Sequence, residues 1–461
     1  MGYPDASRSS LLIDEANAGG PASALQFAAL RGLEVRSAPP SQPSTAGAGA
    51  FFAFRFAAFD DLPSRERMQL RAAIEAGATL YLRGALAGDR HHLAPVVEAS
   101  FGAVTIARAL AYRFTDHPLV PAVLRGEQAP LDTSMIGASD LSGDAEPFLI
   151  ARDSAGAEFP VAFACRLGNG AIICDLQPDV NLDTPLIWRL ADPAQRCANA
   201  SALIAADRAS GRDFSAKVPF NLTIDDVPLA YDYFNESRLE DFLAHLARRC
   251  GGFHLDCAWI PSSRWMSRKY VDILEGHGVG FLWHGIHEHV DHQKIADPDA
   301  EMTAGKDAMA ANVERYGVRL QPLIIFPYER AHSSAERLLI KEGFLAGAEQ
   351  PRHDDVPAGA PSYLNYCAGW CAHESGLRFL HRYEADFLTR DRMLAIAALG
   401  LPLLAFGHPK DVGLRRLSRF IERGGSYSHF DAVLDFAAAK NLPGRSLEAI
   451  ARATFESPSA A

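Results

Sequence analysis

From residue 219 onward the sequence repeats one pattern: a short apolar run, a polar break, then a longer stretch with helical periodicity. The runs are Pro219 to Ile224, Phe253 to Ile260, Val279 to Trp283, Pro322 to Phe326, Phe344 to Ala348, Leu377 to Leu380 and Leu401 to Phe406. Strands that alternate with helices predict a parallel sheet covered by helices. The first intervening helix carries a capping box, Ser237 with Glu240, and stops at Gly251-Gly252. Seven such units in about 230 residues suit a (β/α) barrel of seven strands rather than eight.

The preceding half has the same alternation with a change of texture. An apolar strand at Leu11 to Ile13 leads through Gly19-Gly20-Pro21 into a helix ending near Arg31-Gly32 and a strand at Leu33 to Val35. Ser37 to Gly49, rich in Pro, Ser and Gly, reads as a loop. A strand at Phe51 to Phe56, a helix from Pro63-Ser64 to Gly77 and a strand at Thr79 to Leu82 follow. From about residue 100 to 190 short strand-like pieces separated by turns form a β-rich extension. Residues 192–217 read as the connection. The expected division is an α/β domain of flavodoxin-like type over 1–210 and a barrel over 215–461.

Composition narrows the partners. Across 461 residues, 56 acidic side chains face 45 basic ones, a formal charge of −11 with no dense Lys/Arg run. Nucleic acid, which is gripped by neutralising phosphates, is therefore not an expected partner, and a small or weakly charged ligand is. The opening twenty residues hold no signal-peptide apolar region, and no run approaches the roughly 18 apolar residues of a membrane helix. The expected setting is cytoplasmic, with the seven cysteines reduced and mostly buried.

A parallel barrel carries its chemistry in the loops at the carboxyl ends of its strands. Those are the places where polar residues collect. The first strand runs into Asp225-Asp226, the third into Trp283-His284-Gly285-Ile286-His287-Glu288-His289, the fourth into Pro327-Tyr328 and the seventh into Gly407-His408-Pro409. Histidine and aspartate are the donors that a divalent ion such as zinc takes, with room left for water and substrate. The bland alternatives are a turn or helix cap for Asp225-Asp226 and a lone surface imidazole for His408. Four histidines within HGIHEHVDH are harder to explain as folding residues.

These residues resemble the polysaccharide deacetylase family, carbohydrate esterases of the chitooligosaccharide-deacetylase type, and the resemblance covers roughly residues 215–450. Thr223-Ile224-Asp225-Asp226 is similar to the family's Thr-Phe-Asp-Asp motif. That likeness implies Asp225 as general base and Asp226 as metal ligand. His284 resembles the first ligand histidine, Pro327-Tyr328 the end of an Arg-Pro-Pro-Tyr motif that walls the groove, and His408 the late general-acid histidine. The family's fold is a distorted barrel. This chain also departs from the pattern. Position 288, where a second ligand histidine is expected, is Glu, so the ligand is His287, His289 or Glu288, with His289 favoured through one extra loop residue. Ile325 replaces the arginine that orients the catalytic aspartate, for which Arg330 and Arg382 are candidates. No clean fourth motif is present, although Asp386 and His381-Arg382-Tyr383-Glu384 lie in its region.

The first domain more weakly resembles the class I glutamine-amidotransferase fold, through AAIEAGATLYLRG and GNGAIICDL. Arg83-Gly84-Ala85 stands where an active member has its nucleophilic cysteine, which implies a non-catalytic domain for binding, packing or dimerisation. A homo-oligomer is left open. Gly19-Gly20 is a plain turn or, more weakly, a phosphate loop. Cys367, Cys371 and His373 form either a second zinc cluster or ordinary loop thiols. The expected activity is a zinc-dependent hydrolase that removes an N-acetyl group from an amino sugar in a carbohydrate or glycan precursor. Its rivals are a hydrolase of another amide or formamide and a catalytically silent carbohydrate-binding protein.

Overall fold

Segments with every residue buried become central parallel strands, and segments that alternate become antiparallel ones with a wet face. Both kinds occur in the computed structural model, which describes residues 10–13, 34–37, 50–178, 193–210, 218–227, 236–263, 267–290, 295–329, 333–350, 370–373, 375–398, 400–409, 411–412 and 427–455. The chain divides into two units, Met1–Ala216 with Leu394–Gly400, and Lys217–Met393 with Leu401–Ala461.

In the first unit β1 (Ser10–Ile13), β2 (Glu34–Ser37), β3 (Phe51–Arg55) and β4 (Thr79–Arg83) precede a β-rich excursion. Helices α1 (Phe56–Asp60) and α2 (Ser64–Glu75) lie between β3 and β4. The excursion consists of β5 (Arg90–His92), β6 (Ser100–Phe114), β7 (Gln128–Ser142), β8 (Ala145–Asp153) and β9 (Glu158–Leu167), and the chain returns in β10 (Gly170–Asp175). The sheet order is β2-β1-β3-β4-β10-β9-β8-β6-β5, with β7 on β6. The five strands from β2 to β10 are mutually parallel, and from β10 through β9, β8 and β6 the pairs are antiparallel. Helix α3 (Pro193–Ala209) lies against β4 and β10. The Gly19-Gly20 turn falls outside the described residues.

At the end of β4 the turn Arg83-Gly84-Ala85 is filled by the arginine itself. Arg83 is fully buried, donates to Asp175 Oδ2 at 2.8 Å and to the Pro178 carbonyl at 2.9 Å, and Gly84 takes φ +77°. Burial pushes the thiol of Cys165 up to about 12, which leaves it inert.

The second unit contains β11 (Phe220–Val227), α4 (Glu236–Arg249), β12 (Leu255–Trp259), α5 (Arg268–Gly276), β13 (Gly280–His284), α6 (Pro298–Tyr316), β14 (Leu320–Ile325), α7 (Ser333–Lys341) and β15 (Ala346–Glu349). It continues through β16 (Trp370–Ala372), β17 (Arg378–His381), β18 (Tyr383–Glu384), α8 (Arg390–Ala398, of which Arg390–Met393 belong to this unit), β19 (Leu403–Gly407), α9 (Asp431–Ala439) and α10 (Leu447–Phe455). The sheet order is β16-β17-β15-β14-β13-β12-β11-β19-β18, antiparallel only at β16. Strands β17 and β18 are one extended run broken at Arg382. Its first part pairs with β15 and its second with β19, at the other end of the path. The eight parallel strands thus curl into a near-closed, barrel-like sheet. Ser237 is the second residue of α4, and its side chain lies outside the described residues.

Period-two alternation gives one face of this sheet three layers. Asn221, Asp256 and Gln321 form a polar layer near the strand starts. An apolar layer follows, with Ala258, Leu282, Leu323 and Leu404 packed on Leu447, Ile450, Ala451 and Phe455 of α10. Further along the same face come Asp225, His284 and Arg382, with His408 beyond Phe406. In the polar layer the fully buried Asp256 accepts from Asn221 Nδ2 at 2.8 Å, the Leu447 backbone N–H at 2.8 Å and the Gln321 amide, with His254 Nε2 at 3.2 Å.

A second polar staple joins α7 to β15. His373 places Nδ1 2.7 Å from Glu336 Oε1 and Nε2 3.1 Å from Glu349 Oε1, while Ser375 donates to Glu336. Burial alone would lower this imidazole, but hydrogen bonds to the two carboxylates outweigh it and push it from 6.5 up to about 10. These partners are carboxylates, and the side chains of Cys367 and Cys371 lie outside the described residues.

Asp256→Ala leaves several buried donors unpaired and costs about 3–5 kcal/mol in urea unfolding. Gly280→Ala destabilises through the same place, since its Cβ would stand 2.1 Å from Asp256 Oδ1 and 2.2 Å from Gln321 Nε2. For His373 the folded pKa lies above the unfolded one. Its contribution is therefore complete below pH 6.5 and lost as pH rises toward 10. The Tm advantage of wild type over His373→Gln should shrink across that window, and parallel Tm curves would refute the assignment.

Candidate metal centre

Neighbouring residues on a regular strand point to opposite faces, yet Asp225 and Asp226 both take part in the site. A bulge makes this achievable: the β11–β12 register shifts between Ile224 and Val227, and Asp226 adopts φ +59°. A left-handed non-glycine residue costs on the order of 1–3 kcal/mol, a strain that collects where function over-determines geometry. Tyr328, after β14, has φ +59° as well, and Gly285, after β13, has φ +76°. Only glycine fits at 285, because a Cβ there would stand 2.8 Å from the Glu288 carbonyl oxygen. The turn is clamped from α6, where a Cβ on Gly305 would meet the Ile286 carbonyl oxygen at 2.0 Å.

This folding brings two imidazoles onto one carboxylate oxygen. His284 Nε2 lies 2.8 Å and His289 Nε2 2.9 Å from Asp226 Oδ1, and each of the three residues has a donor atom within 4.8 Å of the others. Burial would raise the Asp226 carboxyl, but hydrogen bonds and charge from His284 and His289 outweigh it and hold it well below the usual carboxylate range. The other ring nitrogen of His284 faces the Ile325 carbonyl at 3.1 Å. A carbonyl only accepts, so Nδ1 carries the proton and a neutral His284 aims its Nε2 lone pair at Asp226. An Nε2 lone pair beside a carboxylate is unfavourable, and the contact is relieved when a cation lies among the three donors. The donor set therefore fits a divalent metal.

The other two candidates in the loop are placed elsewhere. His287 lies 3.9 Å from Glu301 Oε1, and the exposed Glu288 gives its backbone N–H to the same oxygen at 3.2 Å. The Tyr328 ring, 59% exposed, stands 5.3 Å from that of His289. Pro327 abuts Gly285.

Asp225 is buried, and its Oδ1 accepts from Arg382 Nη1 at 2.6 Å. Arg382 is 1% exposed, sits over the Phe406 ring at 4.1 Å and gives its backbone N–H to Glu349 at 3.0 Å. Of the two arginines open in the sequence, Arg330 falls outside the described residues. Where the family motif has arginine, Ile325 contributes its carbonyl to His284 instead.

Phe406 on β19 and His408, just past the strand's end, carry this face of the sheet to its rim. His408 Nδ1 lies 3.1 Å from Asp411 Oδ2, which also accepts the His408 backbone N–H at 3.2 Å. Burial would lower this imidazole, but the bond to Asp411 and the charges of Asp225, Asp226 and Asp411 outweigh it and raise its pKa. Asp411 was not singled out in the sequence. Its signal is an acid three residues beyond a histidine in a turn. Asp386 pairs with His429 at 3.1 Å.

No helix among the described residues is long and apolar enough to cross a membrane. No protein-family model and no curated protein matches this sequence. Among solved structures the chain is similar to a family 4 carbohydrate esterase from Streptomyces lividans in complex with acetate, at 14% identity over 50% of this chain and 92% of that one, TM-score 0.31. It is similar to a T48 deacetylase with substrate, at 13% identity over 52% and 94%, TM-score 0.32. It is also similar to a β-galactosidase from Rahnella sp. R3, at 11% identity over 43% and 30%, TM-score 0.29. Deacetylases and carbohydrate esterases thus stand among its structural neighbours, but likenesses this distant decide nothing about its chemistry, which rests on the residues.

Proposed function

We propose that the second unit is a metal-dependent hydrolase that removes an N-acetyl group from an amino sugar in a carbohydrate or glycan precursor, and that the first unit is a non-catalytic, amidotransferase-like domain. The observation that carries the reading is the Asp226–His284–His289 donor set together with a buried Asp225–Arg382 pair and a His408–Asp411 pair. All three stand at the carboxyl ends of one parallel sheet, where such folds place their chemistry.

A divalent ion, zinc or similar, held by Asp226, His284 and His289 supplies Lewis acidity toward water and the amide carbonyl. The rest falls to the chain. Asp225 takes the proton of the attacking water. Arg382, fixed by Phe406 and the Glu349 carbonyl, holds that carboxylate in one orientation. His408, whose Nδ1 is engaged by Asp411, has Nε2 available to protonate the departing amine. The new C–O bond yields acetate, and the broken C–N bond leaves the free amino sugar. Pro327 and the exposed Tyr328 form a wall against which a sugar ring can lie.

Protein prepared without chelator should contain at least one transition-metal ion per chain. Asp225→Asn should keep that metal yet lose acetate release from N-acetylated sugars by roughly 10²–10⁴-fold. Unchanged acetate release in this variant removes the assigned base, and metal-free wild type removes the hydrolase reading. Arg382→Met should lower kcat far more than it alters KM, by about 10²-fold for a displaced catalytic group. An effect confined to KM would show that Arg382 binds substrate instead.

A further inference from the structure

We propose a second divalent-cation site formed by Glu384, His408 and Asp411, at which zinc inhibits the hydrolase. Its inhibitory role rests on the reading of His408 as the general acid, whereas the site itself does not.

Each of the three residues offers a ligand atom, and these atoms all lie within 4.8 Å of one another, as those of the Asp226 set do. Backbone register accounts for the convergence. Glu384 on β18 pairs with Phe406 on β19, and His408, two residues on, shares the face of Phe406. The following turn brings in Asp411, whose backbone N–H donates to the His408 carbonyl at 2.8 Å. All three side chains are half-buried, so solvent ions can reach them. One imidazole with two carboxylates is a donor set for zinc and similar ions, as three protein ligands with an open position are.

The chemistry of occupancy follows from His408 itself. A cation bound to the ring takes a lone pair that otherwise carries a proton, so metal and proton compete for one residue. An enzyme whose leaving amine is protonated by that ring stops working when the ion is present. The expected response to zinc is therefore biphasic, with activation as the Asp226 set fills and inhibition as the Glu384 set fills.

Chelator-stripped protein titrated with zinc chloride, by calorimetry and by metal analysis after equilibrium dialysis, tests this directly. Wild type should bind two equivalents. Asp226→Asn, Glu384→Gln and Asp411→Asn should each bind one. Acetate release should rise over the first equivalent and fall over the second in wild type, and Glu384→Gln should need at least about 10-fold more zinc for the fall. A single equivalent in wild type overturns the site, as do two equivalents in both Glu384→Gln and Asp411→Asn. Two equivalents without acetate release at any zinc concentration uphold the site and overturn the deacetylase reading.

Discussion

Arg382 interrupts the extended run 378–384, and much of the second unit is organised around that interruption. On one side of it the chain pairs with β15, on the other with β19, so the curled sheet nearly meets itself at this residue. A charged side chain at such a seam cannot be left unpaired, because an isolated buried guanidinium is costly. Asp225 on β11 answers it at 2.6 Å. The ring of Phe406 covers it. The ion pair therefore ties the beginning of the unit to its last strands, and sheet closure and the orientation of Asp225 become one structural problem with one solution. Arginine suits the position better than lysine because its planar, delocalised charge both forks onto a carboxylate and stacks on a ring.

The strands of the second unit were legible because they are buried on both faces and so read as unbroken apolar runs. β11, β12, β13, β14, β15, β17 and β19 all fall within a few residues of runs visible in the sequence. What alternation could not predict was departure from alternation. Strand β18 is two residues long, and β16 pairs antiparallel at the edge. Both are set by long-range register, on which local apolarity is silent. The β-rich excursion of the first unit was visible in outline, as turns between short strands. Its two fifteen-residue strands, β6 and β7, were not, because bulges interrupt their pairing.

The candidate site divides in the same way. The aspartates and histidines announced themselves by type and by position after strands. Which of His287, Glu288 and His289 joins Asp226 depends on how a loop curls. That curl is set by Gly285, by Gly305 on a distant helix and by Glu301, which engages His287 and the Glu288 amide. The pairing of Asp225 with Arg382 spans 157 positions, and Asp411 drew no notice because a single acid in a turn is common. Sequence shows which chemical groups are available. Tertiary clamps decide which of them meet.

Charge balance at the rim explains why these clamps are worth their strain. Asp225 is paired with Arg382, while Asp226 faces His284 and His289, and Asp411 faces His408. The carbonyl partner of His284 favours a lone pair facing Asp226, which suits a cation among those donors. The left-handed turn at Asp226 keeps its carboxylate with the histidines while Asp225 stays with Arg382. Two adjacent acids are thereby held in opposite electrostatic states, one saturated by a fixed cation and the other left open to an exchangeable one. On the function proposed above, that separation is what lets one aspartate serve as a base while its neighbour serves as a ligand.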